Sequence, residues 1–413
     1  MITIVRKASR FAGEVHLPGD KSLSHRALIL GALSTEPLEI ENIARGDDPE
    51  ATARCLRALG AKIETDTGIV RVQGPKRLHA PREVLDCGNS GTTMRLLAGV
   101  IAGAGIAATL DGDPSLRRRP MGRVLEPLRK MGALCEGRRE GGEEYAPLVF
   151  RPGGILHGGR YEIPVASAQV KSALLLAGTI AGVEVEVSEP HPSRDHTERM
   201  LAAFAEARPS RIRVPGDPSS AAFLAAAAML VPGGEIRLPE VNANPTRLGW
   251  FRAFCEMGGA LELQPTDEVA GEPTATLRAV HAPKLRGIRI GPAEVPALID
   301  EIPILSVLAT QAEGVTEVRG AEELRVKESD RIATMVEGLR RMGANVEALE
   351  DGLRIQGPTP LTGAPVQAAS DHRVAMSLAV AGLIAEGETR IEGGHWAAVS
   401  FPQFFPLLAR SPA

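Results

Sequence analysis

Six times along the chain, an Ala- and Leu-rich run ends at a Gly or Pro and is followed by a short extended stretch. The runs end at Pro37, Gly105, Gly182, Gly234, Gly314 and Gly387. Apolar runs closed by Gly are typical of buried helices, and the stretches after them are typical of strands. Recurrence at steps of roughly 50 to 80 residues indicates one supersecondary unit used six times. We therefore expect an α+β protein of six repeats, each with two helices and a hairpin.

Polar and charged residues come directly before each run, at the predicted helix starts. They read KSLSHR, GNSGTTMR, ASAQVK, GDPSS, IDE and DHR. The N-terminus of a helix carries unpaired N–H groups and a partial positive charge, so Lys and Arg are unfavourable there without an anion. One such mismatch is easily a coincidence, but its recurrence predicts a strongly anionic ligand with phosphate and carboxylate groups.

The composition excludes several classes of partner. Aromatic residues make up 3% of the chain, and 47 basic residues face 51 acidic ones. Neither base-stacking surfaces nor a basic field is therefore expected, which argues against nucleic acid. No apolar stretch is long enough to span a bilayer, and the N-terminus lacks a signal-peptide core. The four cysteines form no CxxC pair, so we expect free thiols and a cytoplasmic protein.

The phrase PGD occurs twice and divides the repeats into halves, since it precedes the first helix of each set of three. Residues 1–16 read as a spare strand pair that could complete the second half. We therefore predict one domain over 17–215 and another over 1–16 and 216–413. The chain would cross between them near Pro18 and Pro215, and the active site would lie in the interdomain cleft. The third repeat is short after its second helix, which predicts a missing hairpin.

Each motif also has a plain structural interpretation. Ser22 could be only a helix cap, and the Gly-rich loop around Gly91 could be only a turn. An exposed salt-bridged helix end would account for Lys327 and Arg331, four residues apart. Asp300 alone could be only a cap. The recurrence of cations at corresponding helix starts favours a ligand site over these interpretations.

The chain resembles the 3-phosphoshikimate 1-carboxyvinyltransferase (5-enolpyruvylshikimate-3-phosphate synthase) family over essentially its whole length. The resemblance is carried by PGDKSLSHR, GNSGTTMR, RRRPMG, ASAQVKSA, SRDHTE, IDEIP, RVKESDR and DHRVAM. It implies two domains of three βαβαββ units around parallel internal helices, an inside-out α/β barrel. It also implies transfer of enolpyruvyl from phosphoenolpyruvate to the 5-hydroxyl of shikimate 3-phosphate, in the shikimate pathway of aromatic amino acid biosynthesis. No metal or organic cofactor is implied, and we expect a monomer.

The resemblance also implies roles for individual residues. Shikimate 3-phosphate would be bound by Lys21, Ser22, Arg26, Ser167, Ala168, Gln169, Arg194, Asp300 and Lys327. Phosphoenolpyruvate would be bound by Lys21, Gly91, Arg119, Gln169, Arg331 and Arg373. Asp300, Glu328 and Lys21 would be catalytic, with Asp300 as base and Glu328 as acid. Further contacts could come from Asn89, Thr92 and His372.

Two positions depart from the family pattern. Val399 stands where many relatives have a Lys that reaches phosphoenolpyruvate, and Ala168 stands where some have a second Ser. The family is a glyphosate target, and Gly91 is the small residue associated with sensitivity to that inhibitor. The ASAQVKSA pattern instead resembles less sensitive relatives, so the inhibitor response stays open.

Three alternatives stay open on the residues. The sister enzyme acting on UDP-N-acetylglucosamine would share the fold, but it has an Asn after the first Lys and usually a Cys near RRRP. No cysteine lies between Cys87 and Cys135. An RNA 3′-phosphate cyclase-like protein would have fewer repeats and a nucleotide-linked His. A non-catalytic anion-binding protein would not need Asp300 and Glu328 among its cations.

Overall fold

The computed structural model of the chain describes residues 1–409 and has the α+β architecture that the sequence predicts. The chain divides into two compact units. The central unit comprises Gly19–Val214 and Glu268–Glu272. The terminal unit comprises Met1–Pro18, Pro215–Asp267 and the chain from Pro273 onward. The segment Glu268–Glu272, which belongs to the central unit, is a feature that the sequence pattern did not indicate.

The strands are β1 (Ile2–Arg6), β2 (Ala12–Glu14), β3 (Leu38–Glu41), β4 (Lys62–Asp66), β5 (Ile69–Gln73), β6 (Leu85–Asp86), β7 (Ala108–Asp111), β8 (Leu134–Glu140), β9 (Glu143–Arg151), β10 (Gly159–Glu162), β11 (Val185–Ser188), β12 (Arg211–Arg213), β13 (Glu235–Asn242), β14 (Ala260–Val269), β15 (Glu272–Val280), β16 (Leu285–Arg286), β17 (Arg289–Ile290), β18 (Ala312–Val318), β19 (Asn345–Leu349), β20 (Gly352–Gly357), β21 (Pro365–Gln367) and β22 (Glu388–Glu392). The helices are α1 (Lys21–Ala32), α2 (Asp47–Ala58), α3 (Gly91–Ala104), α4 (Gly122–Lys130), α5 (Ala168–Ala181), α6 (His196–Ala207), α7 (Pro218–Leu230), α8 (Gly249–Glu256), α9 (Ile302–Thr310), α10 (Arg331–Arg341), α11 (His372–Gly382) and α12 (Phe404–Ala409).

The central unit contains the first three repeats. Its buried helices α1, α3 and α5 are the Ala- and Leu-rich runs, and the amphipathic helices α2, α4 and α6 pack against them. Two four-stranded sheets have the orders β12-β3-β5-β4 and β6-β7-β9-β8, and β10 pairs with β11. Between α6 and α7 there is one three-residue strand, β12, which pairs with β3 of the first repeat. The missing third hairpin is thus confirmed.

The terminal unit contains the last three repeats around α7, α9 and α11, whose residues are all buried. Its sheets have the orders β14-β15-β13-β2, β16-β18-β20-β19 and β1-β22-β21, with β17 also paired to β18. The N-terminal strands do not pair with each other: β1 joins the sixth repeat and β2 joins the fourth. Up to residue 409, β1 therefore takes the place of a hairpin after α11. The sequence analysis expected residues 1–16 to complete the second half but did not predict these separate pairings.

Helix ends follow the predicted Gly positions only in part. Gly105 and Gly182 are left-handed C-caps, with φ of 63° and 71°. In contrast, α9 ends at Thr310, and Gly314 lies inside β18. The residue that stops α9 is therefore not the predicted glycine, because the helix has already ended before the chain enters its sheet.

Small residues let the buried helices approach closely. A Cβ added at Gly99 of α3 would lie 2.1 Å from the carbonyl oxygen of Ala173 on α5. One added at Gly103 would lie 2.7 Å from the carbonyl oxygen of Ala177. The Ala- and Gly-rich composition of the runs is thus a packing requirement of the core, which has few aromatic side chains to fill it.

The four cysteines are free, as the sequence predicts. Over residues 1–409, no helix combines the length and the apolar character needed to cross a membrane.

Candidate active site

The predicted helix starts are confirmed at five motifs, because α1, α3, α5, α7 and α11 begin within them. Side chains cap these helices in the usual way, through Asp20, Ser90, Ser167, Asp217 and Asp371. The cap of α1 is Asp20, whose carboxylate accepts from the N–H of Leu23 at 3.0 Å, so the cap interpretation of Ser22 is wrong. At the sixth motif, Asp300 lies in a 3₁₀ turn (Ile299–Glu301) ahead of α9.

In the central unit, Lys21 lies in the first turn of α1 and its ammonium group is 2.9 Å from Asp48 Oδ2. Both side chains are mostly buried. Asp48 comes from the acidic first turn of α2, in the phrase GDDPE. Acidic residues are common in the first turn of a helix because they stabilise its dipole. The sequence alone therefore does not indicate that Asp48 pairs with Lys21.

Arg26 is one turn further along α1 and is 4% exposed. Its guanidinium donates to Thr197 Oγ1 and Ser172 Oγ, both at 2.7 Å, and to the carbonyl oxygen of Ser22 at 2.9 Å. Burial lowers its pKa to about 10. A buried guanidinium held mainly by neutral hydroxyl groups retains much of its positive field, which suits an anionic ligand.

The loop before α3 places two predicted residues in contact. Arg119, 9% exposed, donates from NH2 to Asn89 Oδ1 at 2.5 Å, and Asn89 donates to Asp113 Oδ2 at 2.7 Å. A Cβ at Gly91 would lie 3.4 Å from Arg119 NH1 and 2.7 Å from Arg95 NH1. Gly91 thus leaves room for two guanidinium groups at the start of α3.

The amide of Gln169 is fixed by α3. Its oxygen accepts from Arg95 NH1 at 2.7 Å, and its nitrogen donates to Thr92 Oγ1 at 2.9 Å. Gln169 and Ala168 form the first turn of α5, where backbone N–H groups have no acceptor within the helix. Ser167 is the cap of that helix. The predicted residues Thr92, Ser167, Ala168 and Gln169 are therefore neighbours at two adjacent helix starts.

In the terminal unit, Arg331 is a buried cation paired with three carboxylates. It is 2% exposed, and its guanidinium lies 2.8 Å from Asp371, 2.6 Å from Glu328 and 3.3 Å from Asp300. Burial opposes its charge, but the three carboxylates outweigh that effect and raise its pKa above the usual range. The structure thus brings Arg331, Glu328 and Asp300 together.

Arg373 joins the same cluster from the start of α11. Its NH1 donates to the carbonyl oxygen of Asp300 at 3.0 Å, and its NH2 is 3.6 Å from Asp300 Oδ2. NH1 is also 3.5 Å from Glu301, which accepts from Ser219. Asp300 is therefore flanked by two guanidinium groups, which stabilise its ionised form.

The remaining predicted residues lie close to these. Lys327 is half-buried beside Glu328, and burial lowers its pKa. His372 is the first residue of α11 and is buried next to Arg373. Arg194 lies two residues before the start of α6, in the central unit. No cluster of His, Cys, Asp and Glu suited to a metal ion occurs in the part of the chain that the structure describes.

Most partners of the cations were not predicted from the sequence, including Asp48, Ser172, Thr197 and Ser219, and Glu301 was noted beside Asp300 without a role. The signal for Glu301 was present, since it follows Asp300 in IDEIP. Hydroxyl groups such as Ser172 and Thr197 give no such signal, because isolated Ser and Thr residues occur in most helices.

The model of the family described as EPSP synthase (3-phosphoshikimate 1-carboxyvinyltransferase) matches residues 5–408. The chain belongs to the EPSP synthase family. A 3-phosphoshikimate 1-carboxyvinyltransferase of Gloeobacter violaceus is 51% identical over 98% of each chain. One from Synechococcus sp. (strain JA-3-3Ab) is 50% identical over 99% of this chain and 96% of the relative. A solved EPSP synthase from Acinetobacter baumannii is 39% identical, has a TM-score of 0.86, and aligns over 99% of this chain and 98% of its own.

Membership sets the reaction class. The chain is a transferase of the shikimate pathway, which passes the enolpyruvyl group of phosphoenolpyruvate to the 5-hydroxyl of shikimate 3-phosphate. The three alternatives left open by the residues are thereby set aside.

Proposed function

We propose that the two sets of cations act on one pair of substrates in a cleft between the two units. Residues 17–215 would supply the groups around Arg26, Arg119 and Gln169. Residues 1–16 and 216–413 would supply those around Asp300, Arg331 and Arg373. The observation that carries the proposal is the placement of Asp300 against Arg331 and Arg373, because a general base and the cations for an anionic substrate are then in contact.

Shikimate 3-phosphate would occupy mainly the central unit. We assign its carboxylate side to Ser22 and Arg26, and its phosphate to Ser167, Gln169, Arg194 and the backbone N–H of Ala168. Helix N-termini bind phosphate well because their N–H groups and dipoles are already oriented. Lys21 would contact both substrates, and Lys327 would contact shikimate 3-phosphate from the terminal unit.

Phosphoenolpyruvate would be bound by Lys21, Arg119, Gln169, Arg331 and Arg373, with Gly91 leaving room for it. Val399 belongs to a 3₁₀ segment and brings no cation. The three Arg residues would therefore carry more of the affinity than in relatives with a Lys at that position. Planar guanidinium groups bind carboxylate and phosphate through two bonds each.

Asp300 would remove the proton of the 5-hydroxyl group of shikimate 3-phosphate. The oxygen of that hydroxyl group would attack the central carbon of phosphoenolpyruvate, and the methylene carbon would gain a proton. A positioned acid or base contributes roughly 10²–10⁴-fold to such a step. Loss of phosphate and of one methyl proton from the tetrahedral intermediate would then complete the transfer. Surrounding cations would stabilise the charge that develops.

Glu328 would be the acid, and its contact with Arg331 constrains how it acts. At 2.6 Å from a guanidinium group, Glu328 favours its ionised form and is a poor proton donor. We propose that the anionic substrate takes over Arg331 on binding, which frees Glu328 to take up and deliver a proton.

The deciding assay is release of phosphate from phosphoenolpyruvate, measured with and without shikimate 3-phosphate. We expect release only with both substrates, one phosphate for each enolpyruvyl product, and no effect of a metal chelator. Equal release with UDP-N-acetylglucosamine in place of shikimate 3-phosphate would contradict the proposal. We expect a monomeric, cytoplasmic enzyme that uses no cofactor and binds neither nucleic acid nor membrane.

A further inference from the structure

Lys171 is a buried cation that the proposed reaction does not use. It lies on α5, two residues after Gln169, and is 7% exposed. Its ammonium group is 2.8 Å from Glu189 Oε1 and 2.8 Å from Glu198 Oε1. Burial opposes its charge, yet the two carboxylates outweigh this and raise its pKa.

Glu189 in turn closes a short loop. Its Oε1 accepts from the backbone N–H of Ser193 at 2.7 Å, and its Oε2 accepts from Ser193 Oγ at 2.7 Å. Burial would raise its pKa, but the bonds from Lys171 and Ser193 lower it. The loop from Glu189 to Ser193 is therefore held at both ends by one ionised carboxylate.

Arg194 follows this loop directly. On one side of it, Ser193 is bound to Glu189; on the other, Glu198 lies in the first turn of α6. Both carboxylates meet at Lys171. The backbone of Arg194 is thus fixed from both directions by a single ammonium group on α5, the helix that also begins at Ala168.

A buried cation with two carboxylates is costly to desolvate, so stability alone gives little reason for it. We propose that Lys171 is a positioning residue, which holds Arg194 in place to bind the phosphate of the acceptor substrate. The inference rests on the proposed function, in which Arg194 binds that phosphate. Because a pre-ordered loop loses less freedom when the ligand binds, Lys171 would raise the affinity without touching the ligand.

The test compares two acceptor ligands, shikimate 3-phosphate and shikimate, which lacks the phosphate. In Lys171→Met we expect the dissociation constant of shikimate 3-phosphate to rise about tenfold. That of shikimate, measured by competition, should stay unchanged. Arg194→Ala should raise the dissociation constant of shikimate 3-phosphate about a hundredfold, because the substitution removes charged hydrogen bonds. The double variant should be no weaker than Arg194→Ala, since Lys171 acts only through Arg194.

Two further variants separate positioning from a general loss of structure. Lys130→Met removes an exposed lysine paired with Glu126 and should leave the dissociation constants of both ligands unchanged. Ser193→Ala removes one of the two bonds that close the loop, the one from the hydroxyl group to Glu189 Oε2, and leaves no buried charge unpaired. It should show the same selective loss on a smaller scale, and it decides the matter if Lys171→Met does not fold.

The outcomes distinguish a failure of the role proposed for Lys171 from a failure of the proposed function. If Arg194→Ala weakens shikimate 3-phosphate while Lys171→Met and Ser193→Ala do not, the inference is overturned and the proposed function stands. Equal weakening of shikimate and shikimate 3-phosphate in the folded Lys171 variant also overturns the inference. If Arg194→Ala leaves shikimate 3-phosphate binding unchanged, the assignment of the phosphate to Arg194 fails, and the inference fails with it.

Discussion

Among single residues, Asp300 is the one on which the proposed chemistry depends most, because its carboxylate meets both Arg331 and Arg373. Asp300→Asn keeps the shape of the side chain but removes the base. We expect kcat to fall at least about a hundredfold. The affinity for shikimate 3-phosphate, measured by calorimetry, should change by less than about fivefold, since most of its proposed contacts remain.

Asp351→Asn is the matched control for this change. Asp351 also pairs with an arginine, Arg319, but on the exposed surface, and its loss should leave kcat unaltered. A kcat for Asp300→Asn close to that of the unaltered enzyme would remove Asp300 from the mechanism.

Gly91 and Gly99 lie on the same helix, but the same substitution should affect them in opposite ways. In Gly91→Ala the new methyl group meets the flexible ends of Arg95 and Arg119. We expect the KM for phosphoenolpyruvate to rise about tenfold while the urea midpoint stays close to its original value. In Gly99→Ala the methyl group meets the backbone of α5 at 2.1 Å, and the free energy of unfolding should fall by about 1–3 kcal/mol.

This pair is its own control, because each variant tests for the effect expected of the other. An unchanged KM in Gly91→Ala would mean that the start of α3 does not face phosphoenolpyruvate. Loss of stability in Gly91→Ala equal to that of Gly99→Ala would mean that Gly91 serves the packing of the helix only.

At the level of elements, a chain of hydrogen bonds joins the first three helices of the central unit. His25 Nδ1 of α1 is 2.7 Å from Thr52 Oγ1 of α2, which is 2.7 Å from Thr93 Oγ1 of α3. Thr93 donates to Ser90, the cap of α3. These hydrogen bonds fix the starts of α1 and α3 relative to each other. The two helix starts carry Lys21, Arg26 and Gly91.

His25 predicts a pH dependence of stability. Burial lowers its pKa to about 3, whereas the unfolded chain has the ordinary value of 6.5. Between these values the unfolded state binds more protons, so the free energy of unfolding falls as the pH drops below 6.5. The loss is about 1.4 kcal/mol for each pH unit, or about 2 kcal/mol at pH 5.

His25→Asn should remove this share of the pH dependence, because the amide can replace Nδ1 but does not titrate. Urea unfolding at pH 7 and pH 5 measures it. His16→Asn is the control, since the His16 side chain is 67% exposed and its replacement should leave the pH dependence of stability as it is in the unaltered protein. Identical slopes for the unaltered protein and His25→Asn would contradict the argument.

The elements also show how far the sequence could lead. The starts of α1, α3 and α11 were predictable because Asp, Ser and charged residues stand before strongly apolar runs. The cap of α1 was harder, because Asp20 and Ser22 are both good caps and only the backbone decides between them. The end of α9 at Thr310 was not predictable from Gly314, since the sheet pairing of β18 overrides the local preference.

For the whole molecule, the short third repeat was predictable from its length, because a single three-residue strand stands where most of the other repeats have a hairpin. What the sequence could not show was which sheets of the second half β1 and β2 enter. Short strands carry little information about their partners, and these two enter sheets whose other strands lie more than two hundred residues later. Long-range pairing is decided by the fold as a whole. The partners of the buried cations were unpredictable for the same reason, because most of them lie far away in the sequence.

The last prediction concerns both units at once. The proposed function assigns one phosphoenolpyruvate to Arg119 of the central unit and Arg373 of the terminal unit. Arg119→Ala and Arg373→Ala should then each weaken its binding by about 2–5 kcal/mol in the presence of shikimate 3-phosphate. The loss in the double variant should be smaller than the sum, because a ligand that has lost one of its two partners is no longer held against the other. Arg117→Ala is the control, since Arg117 pairs with Asp111 on the surface and should not affect phosphoenolpyruvate. Unchanged affinity for phosphoenolpyruvate in either single variant would mean that the two arginines do not bind the same molecule.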